Sequence, residues 1–535
     1  MTLRSTLSAA VGLALAGCSA TAPTMTPDPA PAAGATIAVP ATENPTVARR
    51  YQATITPAEL AGHLYVYADD HLAGRETGEP GQRFAARYLA GQYQTMGVGP
   101  KGSGTSADPY GLDGYLQPFE LEQEVLRGLT VTAMRDGATF LTSTIGPDDV
   151  MGLALAPAYG SVDDASPARL AYVGDATALD GLDLDGAYAL MVPGEGGRAA
   201  MQGGLNALGA AGVRAALVAS APEVIGLAEM AGNAFRGGRL ALPSDGTEDD
   251  AGGLPPIFFT GLDIADALAP TRGAPGDTGV MLAIEADQEM RRVPTENVVA
   301  LIEGSDPLLR DEVVVISAHL DHVGDGGDGA DRIYNGADDD GSGTVAMLEI
   351  AEAFQIAKRD GYGPRRSVLF LHVTGEEEGL LGSAYYADRE PLMPIEQTVA
   401  NLNIDMIGRY DPERGFDTTD YVYIIGGDLI SQDLHDWNEA VNGATGTDLF
   451  LSDRFNSPDD PNQFFRRSDH WNFGKYDVPF IFYFTGTHED YHGVGDSAEK
   501  IDYDRLARIA RLVFGTAWEV ANTDERPAVS GVGFN

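Results

Sequence analysis

An α/β architecture, a mixed β-sheet flanked by helices with a smaller β/α domain inserted in it, is predicted for this chain by three features. Short apolar, β-branched runs alternate with longer runs of helical spacing, the signature of strands joined by crossover helices. Between about 133 and 290 the composition turns to Ala, Gly and Asp, within a histidine-free stretch, 72–318. Beyond it, four strand-like runs end in histidine or carboxylate residues, and the carboxyl edge of such a sheet is where ligands bind.

At 535 residues, two or three domains are expected. The opening MTLRSTLSAAVGLALAGCSA has Arg4, an apolar run too short to span a bilayer, and small residues up to Cys18, the single cysteine. It looks like a bacterial lipoprotein signal peptide (1–17), cut before Cys18, which then carries lipid and tethers the chain to a membrane. Ser19 fits outer-membrane sorting, facing the periplasm or the cell exterior. Residues 18–50, rich in Pro, Ala and Thr, are expected to be a disordered tether. The main domain follows as 51–132 and 291–525, split by the insert 133–290, with a tail at 526–535. No later segment is long and apolar enough to be a membrane helix.

Thr56 is placed to cap a helix over TPAELAGHLYVYADD (56–70), and GEPGQRFAARYLAGQYQTMG (78–97) reads as a helix closed by glycine. YLQPFELEQEV (115–125) reads as a strand. In the insert, ARLAYVGD, YALMVPGE, RAALVAS and PPIFFT read as strands, and AAMQGGLNALGAAGV and GLDIADALA as helices. RRVPTENVV (291–299) reads as a polar link. The chemistry-bearing strands are EVVVISAHLDHVG, RSVLFLHVTGEEEG, TVANLNIDMIG and VPFIFYFTG, and GTVAMLEIAEAF is an amphipathic helix.

A formal charge of −44 with only four lysines repels nucleic acid and argues against a phosphate-backbone reader. Seven of the nine histidines lie beyond residue 318, where acidic clusters also concentrate. Imidazole and carboxylate together suit zinc-like cations. His319, one aspartate of 338–340, one glutamate of 376–378, Asp405 and one of His488 and His492 form a ligand set of that kind.

The blocks SAHLDH, NGADDDGSGT, TGEEEGLLGSAYY, NIDMIGR, RRSDHWNF and DYHGVGDSAEKID, in that order over about 311–505, resemble the zinc aminopeptidases of peptidase family M28. GRETGEPGQRFAARYL (74–89) resembles the family's N-terminal segment. The resemblance implies the zinc exopeptidase fold, peptide substrates and two zinc ions bridged by Asp339. His319 and Asp405 would complete one ion, and Glu377 and His492 the other. It also implies Glu376 as general base, Tyr491 as oxyanion donor, Asp321 as the partner fixing the His319 tautomer, and a cis peptide at Asp339–Asp340. The insert, by position and pattern, resembles a protease-associated (PA) domain.

His322, His372 and His435 match no ligand position and are expected to serve the core or surface. Ser468 and Asp469 are expected either to cap the following helix or to support the site. DGSGT lacks the frame of a nucleophilic serine at Ser342, and DGGDGAD lacks the spacing of a calcium loop. Alternatives on the same scaffold are a carboxypeptidase or dipeptidase. A glutaminyl cyclase or a non-catalytic binding protein fits the full ligand set less well. Arg466 and Arg467 are candidates for a substrate carboxylate.

Overall fold

The computed structural model describes residues 38–531 except 106–107, 146–155, 160–161, 163, 195–196, 221–237, 244–253, 271–272, 327–328, 415–419, 458–459 and 461. The expected signal peptide, Cys18 and the first part of the expected tether lie outside the described residues. The helical runs form as their spacing dictates. Thr56 accepts a hydrogen bond from the Glu59 amide at the start of helix Pro57–Tyr67, and helix Pro80–Met96 ends on Gly97 at φ 79°.

The central strands Val313–His319, Ser367–Val373, Thr398–Ile404 and Phe480–Phe484 run parallel. Both faces of the first three are covered, which is why they read as unbroken β-branched runs. Val314, Ile316, Val368, Phe370 and Leu402 face a core shared with helices Pro45–Gln52, Pro57–Tyr67, Pro80–Met96, Gly343–Arg359 and Tyr503–Asn522. Val313, Val315, Leu369 and Leu371 face the opposite side with Tyr386 and Phe473. Tyr421–Ile425 pairs antiparallel with Phe480–Phe484, and Phe450–Ser452 extends that edge.

Strand order places the site. From Val313–His319 the chain crosses through helix Gly343–Arg359 to Ser367–Val373 on one side. It then returns to Thr398–Ile404 on the other. This reversal opens a crevice at the carboxyl ends of those three strands, the usual ligand position in open α/β sheets.

The insert has its own apolar clusters, built on the parallel strands Ala168–Gly174, Tyr188–Met191, Ala215–Ser220 and Ile257–Gly261. Two readings need correction here. RRVPTENVV is not a link: it lies inside the strand Gly276–Ile302, paired antiparallel with Leu116–Arg135 from Val280↔Arg135 to Val298↔Leu116. Its two arginines are exposed, with Arg292 on Glu120 at 2.8 Å and Arg291 on Glu289 at 2.8 Å, while Thr295 and Asn297 are buried and hydrogen-bonded to Gln82 and Gln117. The two long strands therefore run unbroken through both expected domain boundaries.

Part of the segment expected to be a disordered tether is also folded. Residues 45–52 are helical with Pro45 in the first turn, and Ala38, Ala41, Ala48 and Tyr51 are buried in the main core. Tyr51 stacks on Trp518 at 5.8 Å, Trp518 Nε1 donates to the Val39 carbonyl, and Thr42 Oγ1 donates to Glu519. A few small apolar residues suffice to dock this segment, and composition alone hides them.

Candidate metal centre

The aspartate triplet divides its labour. Asp340 is buried and spent on backbone: its Oδ2 accepts from the His319 amide, and its Oδ1 accepts from Gly343 and Met406. Asp338 accepts from the Gly408 amide through Oδ1, while Asp496 accepts the amides of Asp338 and Asp339. These bonds pin strand ends, helix start and loop together, and leave the middle carboxylate to face the crevice. The Asp339–Asp340 peptide is cis. Gly336, at φ 54°, sits where a β-carbon would lie 2.5 Å from the His322 ring, so only glycine lets the loop pass.

Asp339 places Oδ1 3.1 Å from His319 Nε2 and Oδ2 3.2 Å from His492 Nε2. Asp405 Oδ1 lies 3.7 Å from the first imidazole, and Glu377 Oε2 lies 3.0 Å from the second. Two ligand groups thus share one carboxylate. His492 is held at φ 51°, in the left-handed region rarely used by side chains other than Gly, Asn and Asp.

The donor set fits a cation. His319 Nε2 is buried and makes no hydrogen bond of acceptable geometry, although it points at two carboxylates. No lysine or arginine pairs with Asp339, Asp405, Glu376 or Glu377 among the described residues. Burial works to raise the Asp339 carboxyl, but His319 and His492 outweigh it and hold it well below the usual range. Burial likewise works against Glu377, yet His322 and His492 bring it down to about 2. Against its own burial, His492 is pushed up to about 10 by Asp339 and Glu377. Buried carboxylates drawing this much charge onto two imidazoles are what divalent metal binding satisfies.

Glu376 behaves differently. Burial, reinforced by the neighbouring Glu377 and Asp405 carboxylates, raises it well above its ordinary value, the environment of a proton-transfer group. Its amide donates to Asp321 Oδ1 at 3.3 Å. Tyr491 stacks on His492 at 4.0 Å, and burial raises its hydroxyl pKa, so it keeps its proton as a donor.

Asp321 departs from expectation. The nearest group to His319 Nδ1 is the Asp321 backbone carbonyl at 3.2 Å, whereas its carboxylate stands at 3.7 Å. That carboxylate is already taken by the Thr77 hydroxyl and the Glu376 amide. The carbonyl thus has the better claim to the Nδ1 proton and to the tautomer.

Two supporting residues, His322 and Arg75, escaped sequence reasoning. His322 is buried with Nδ1 2.7 Å from Glu377 Oε1, so it borders the site. Arg75 is buried and donates to the carbonyls of Leu320, Asn335 and Gly336, tying the loops that carry His319 and the aspartates. Ser468 is no helix cap. Its hydroxyl donates to Asp405 Oδ2 at 2.7 Å, and Asp469 accepts from Ser383. His372 bonds Tyr93 at 2.7 Å in the core, and His435 lies beside Glu439 on helix Gln432–Thr445. His488 faces Asp338 at 3.3 Å instead of the shared carboxylate. Most of these contacts join residues far apart in the chain.

Two cavities open beside the cluster. A small apolar pocket is lined by Met406, Phe464, Phe482, Phe484 and Tyr491 next to Asp339, Glu376 and Asp405. A larger one of about 570 Å³ is lined by Glu376, Glu377, Arg466, Arg467, Tyr491 and His492.

Residues 297–517 match the sequence model of peptidase family M28. A probable zinc metalloprotease of Pyricularia oryzae is 28% identical over 268 residues, 43% of this chain and 50% of its own length. A probable leucine aminopeptidase 2 of Aspergillus oryzae is 30% identical over 252 residues, 46% of this chain and 45% of its own. The chain spans about half the length of the curated relatives it matches. The solved aminopeptidase of Aneurinibacillus sp. strain AM-1 superposes with a TM-score of 0.55 at 18% identity, covering 91% of this chain and 98% of that one. At that identity the likeness speaks for the fold.

Proposed function

We propose that the protein, whose residues 297–517 match the sequence model of peptidase family M28, is a metal-dependent aminopeptidase using two zinc ions held by His319, Asp339, Glu377, Asp405 and His492. The observation that carries this reading is Asp339, whose two oxygens each face a different imidazole at 3.1 and 3.2 Å. Bound metal would supply Lewis acidity toward the scissile carbonyl and acidify water. The chain's own groups do the rest. Glu376, kept at a raised pKa, accepts a proton from the attacking water and returns it to the leaving amine. The Tyr491 hydroxyl donates to the carbonyl oxygen as charge develops there. Phe464, Phe482, Phe484 and Met406 give the small pocket apolar walls, which favour an aliphatic or aromatic terminal side chain.

The insert is read as a PA-like module beside the entrance. Leu240 packs with Phe119 and Leu121 against Leu381 and Tyr385, just after the catalytic glutamates. Residues 1–17 are read as a lipoprotein signal peptide, cut before Cys18, which then carries lipid.

The decisive test is a peptide library with free N-termini beside its N-acetylated twin, read by mass spectrometry with and without chelator. Chelator-sensitive trimming of the free library alone is expected. Trimming from the C-terminus of both would replace the assignment with a carboxypeptidase. Glu376→Gln should retain zinc by elemental analysis while losing about 10²- to 10⁴-fold in turnover. Near-normal turnover would remove Glu376 from the role of base.

A further inference from the structure

We propose that Arg466 and Arg467 bind a carboxylate on the leaving side of the substrate, making the protein selective for short peptides with an anionic end. The inference rests on the aminopeptidase reading and narrows its substrate class. Both arginines line the 570 Å³ cavity with Glu376, Tyr491 and His492, and Arg467 also lines the apolar pocket.

Among the described residues neither arginine makes an ion pair. Arg409 and Arg454, elsewhere in the same half of the chain, each hold two carboxylates. In a chain with 79 acidic side chains against 35 basic, two adjacent exposed guanidinium groups left without an acid call for a reason.

Their geometry supplies one. Arg467 lies 5.0 Å over the Phe464 ring, and Arg466 lies 5.0 Å from both the Phe465 and Trp471 rings. These ring contacts restrain the planar forks, groups suited to bidentate carboxylate binding. Arg467 Nη2 is 3.5 Å from the Tyr491 hydroxyl, which puts one fork beside the group assigned to the reacting carbonyl. The cleft is therefore polarised, with buried carboxylates on one side and two guanidinium groups on the other. A short peptide is polarised the same way, with an ammonium at one end and a carboxylate at the other. A cavity of this volume suits a small ligand.

The test compares kcat/KM for leucyl-alanine and for its C-terminal amide. The paired substrates leucyl-aspartyl amide and leucyl-asparaginyl amide ask whether a side-chain carboxylate serves as well. Wild-type protein should favour the free acid by roughly ten-fold or more. The preference should fall toward one in Arg466→Gln/Arg467→Gln, and shrink at about 1 M salt, where the Debye length is about 3 Å. Arg466→Lys/Arg467→Lys, which keeps the charge but loses the fork, should retain only part of it. A preference for the aspartyl over the asparaginyl amide would support the same site acting on a side-chain carboxylate. An acid-to-amide ratio near one in wild-type protein, with no aspartyl preference, overturns the proposal. So does a high ratio unchanged in the double variant. Failure to cleave any free-amine peptide would instead sink the aminopeptidase reading beneath it, and cleavage of N-acetyl-leucyl-alanine would point to a carboxypeptidase.

Discussion

At the scale of single residues, the acidic triplet shows how identical side chains acquire different work. Asp340 is consumed by backbone amides, Asp338 is shared between the Gly408 amide and His488, and only Asp339 is left facing imidazoles on both sides. The flanking positions are as important as the ligand, because a carboxylate that drifts cannot hold two groups in register. His322 belongs to the same logic. Through its 2.7 Å contact it takes Oε1 of Glu377 and turns Oε2 toward His492. His322→Gln should weaken metal affinity by about 10- to 100-fold, as loss of such an orienting partner does. Competition against a chelator measures it, and an unchanged affinity would return His322 to a packing role.

At the scale of elements, the strands and the turns after them divide structure from chemistry. Strand Ser367–Val373 carries His372, wholly buried, bonded to Tyr93, and lowered to about 3 by burial. The unfolded chain binds this proton below about 6.5, but the folded one does not until about 3. The stability that neutral His372 permits is therefore complete above about 6.5 and lost as pH falls toward 3, at up to about 1.4 kcal/mol per pH unit. His372→Gln should flatten the acid limb of a plot of melting temperature against pH. An identical limb in the variant would show that other groups set it. The ribbon Leu116–Arg135 with Gly276–Ile302 teaches a second lesson. A strand that mixes exposed arginines with buried, hydrogen-bonded polar side chains need not look apolar, and RRVPTENVV resembles a linker for that reason.

At the scale of the whole molecule, the N-terminal segment closes the main core. Residues 38–52 contribute Ala38, Ala41, Ala48 and Tyr51, along with the bonds from Thr42 to Glu519 and from Trp518 to Val39. A soluble form beginning at residue 38 should melt higher than one beginning at residue 49. The shorter form gives up about 2 kcal/mol or more of burial and hydrogen bonding. Equal melting temperatures would mean that the segment docks without consequence. If Cys18 is lipidated, the full chain should partition into detergent and Cys18→Ala should not, which phase separation with Triton X-114 reads directly. Removing metal should also lower the melting temperature in a concentration-dependent way, because an ion that binds only the folded form stabilises it by mass action.

The sequence by itself determined the alternation of strands and helices, the insert and the motif blocks that carry His319, Asp339, Glu376, Glu377, Asp405, Tyr491 and His492. Those signals are local: each is a short run whose periodicity or residue types carry their meaning within a few positions. Tertiary structure decided which aspartate faces the imidazoles. It also set the Asp321 carbonyl 3.2 Å from His319 Nδ1, made His322, Arg75 and Ser468 supports of the proposed ligands, and docked residues 38–52 onto the main core. Apart from the Asp321 carbonyl, those outcomes depend on partners dozens or hundreds of positions away, brought together by the reversal of strand order at Val313–His319. A contact at that separation leaves no trace in local composition, so folding alone reveals it.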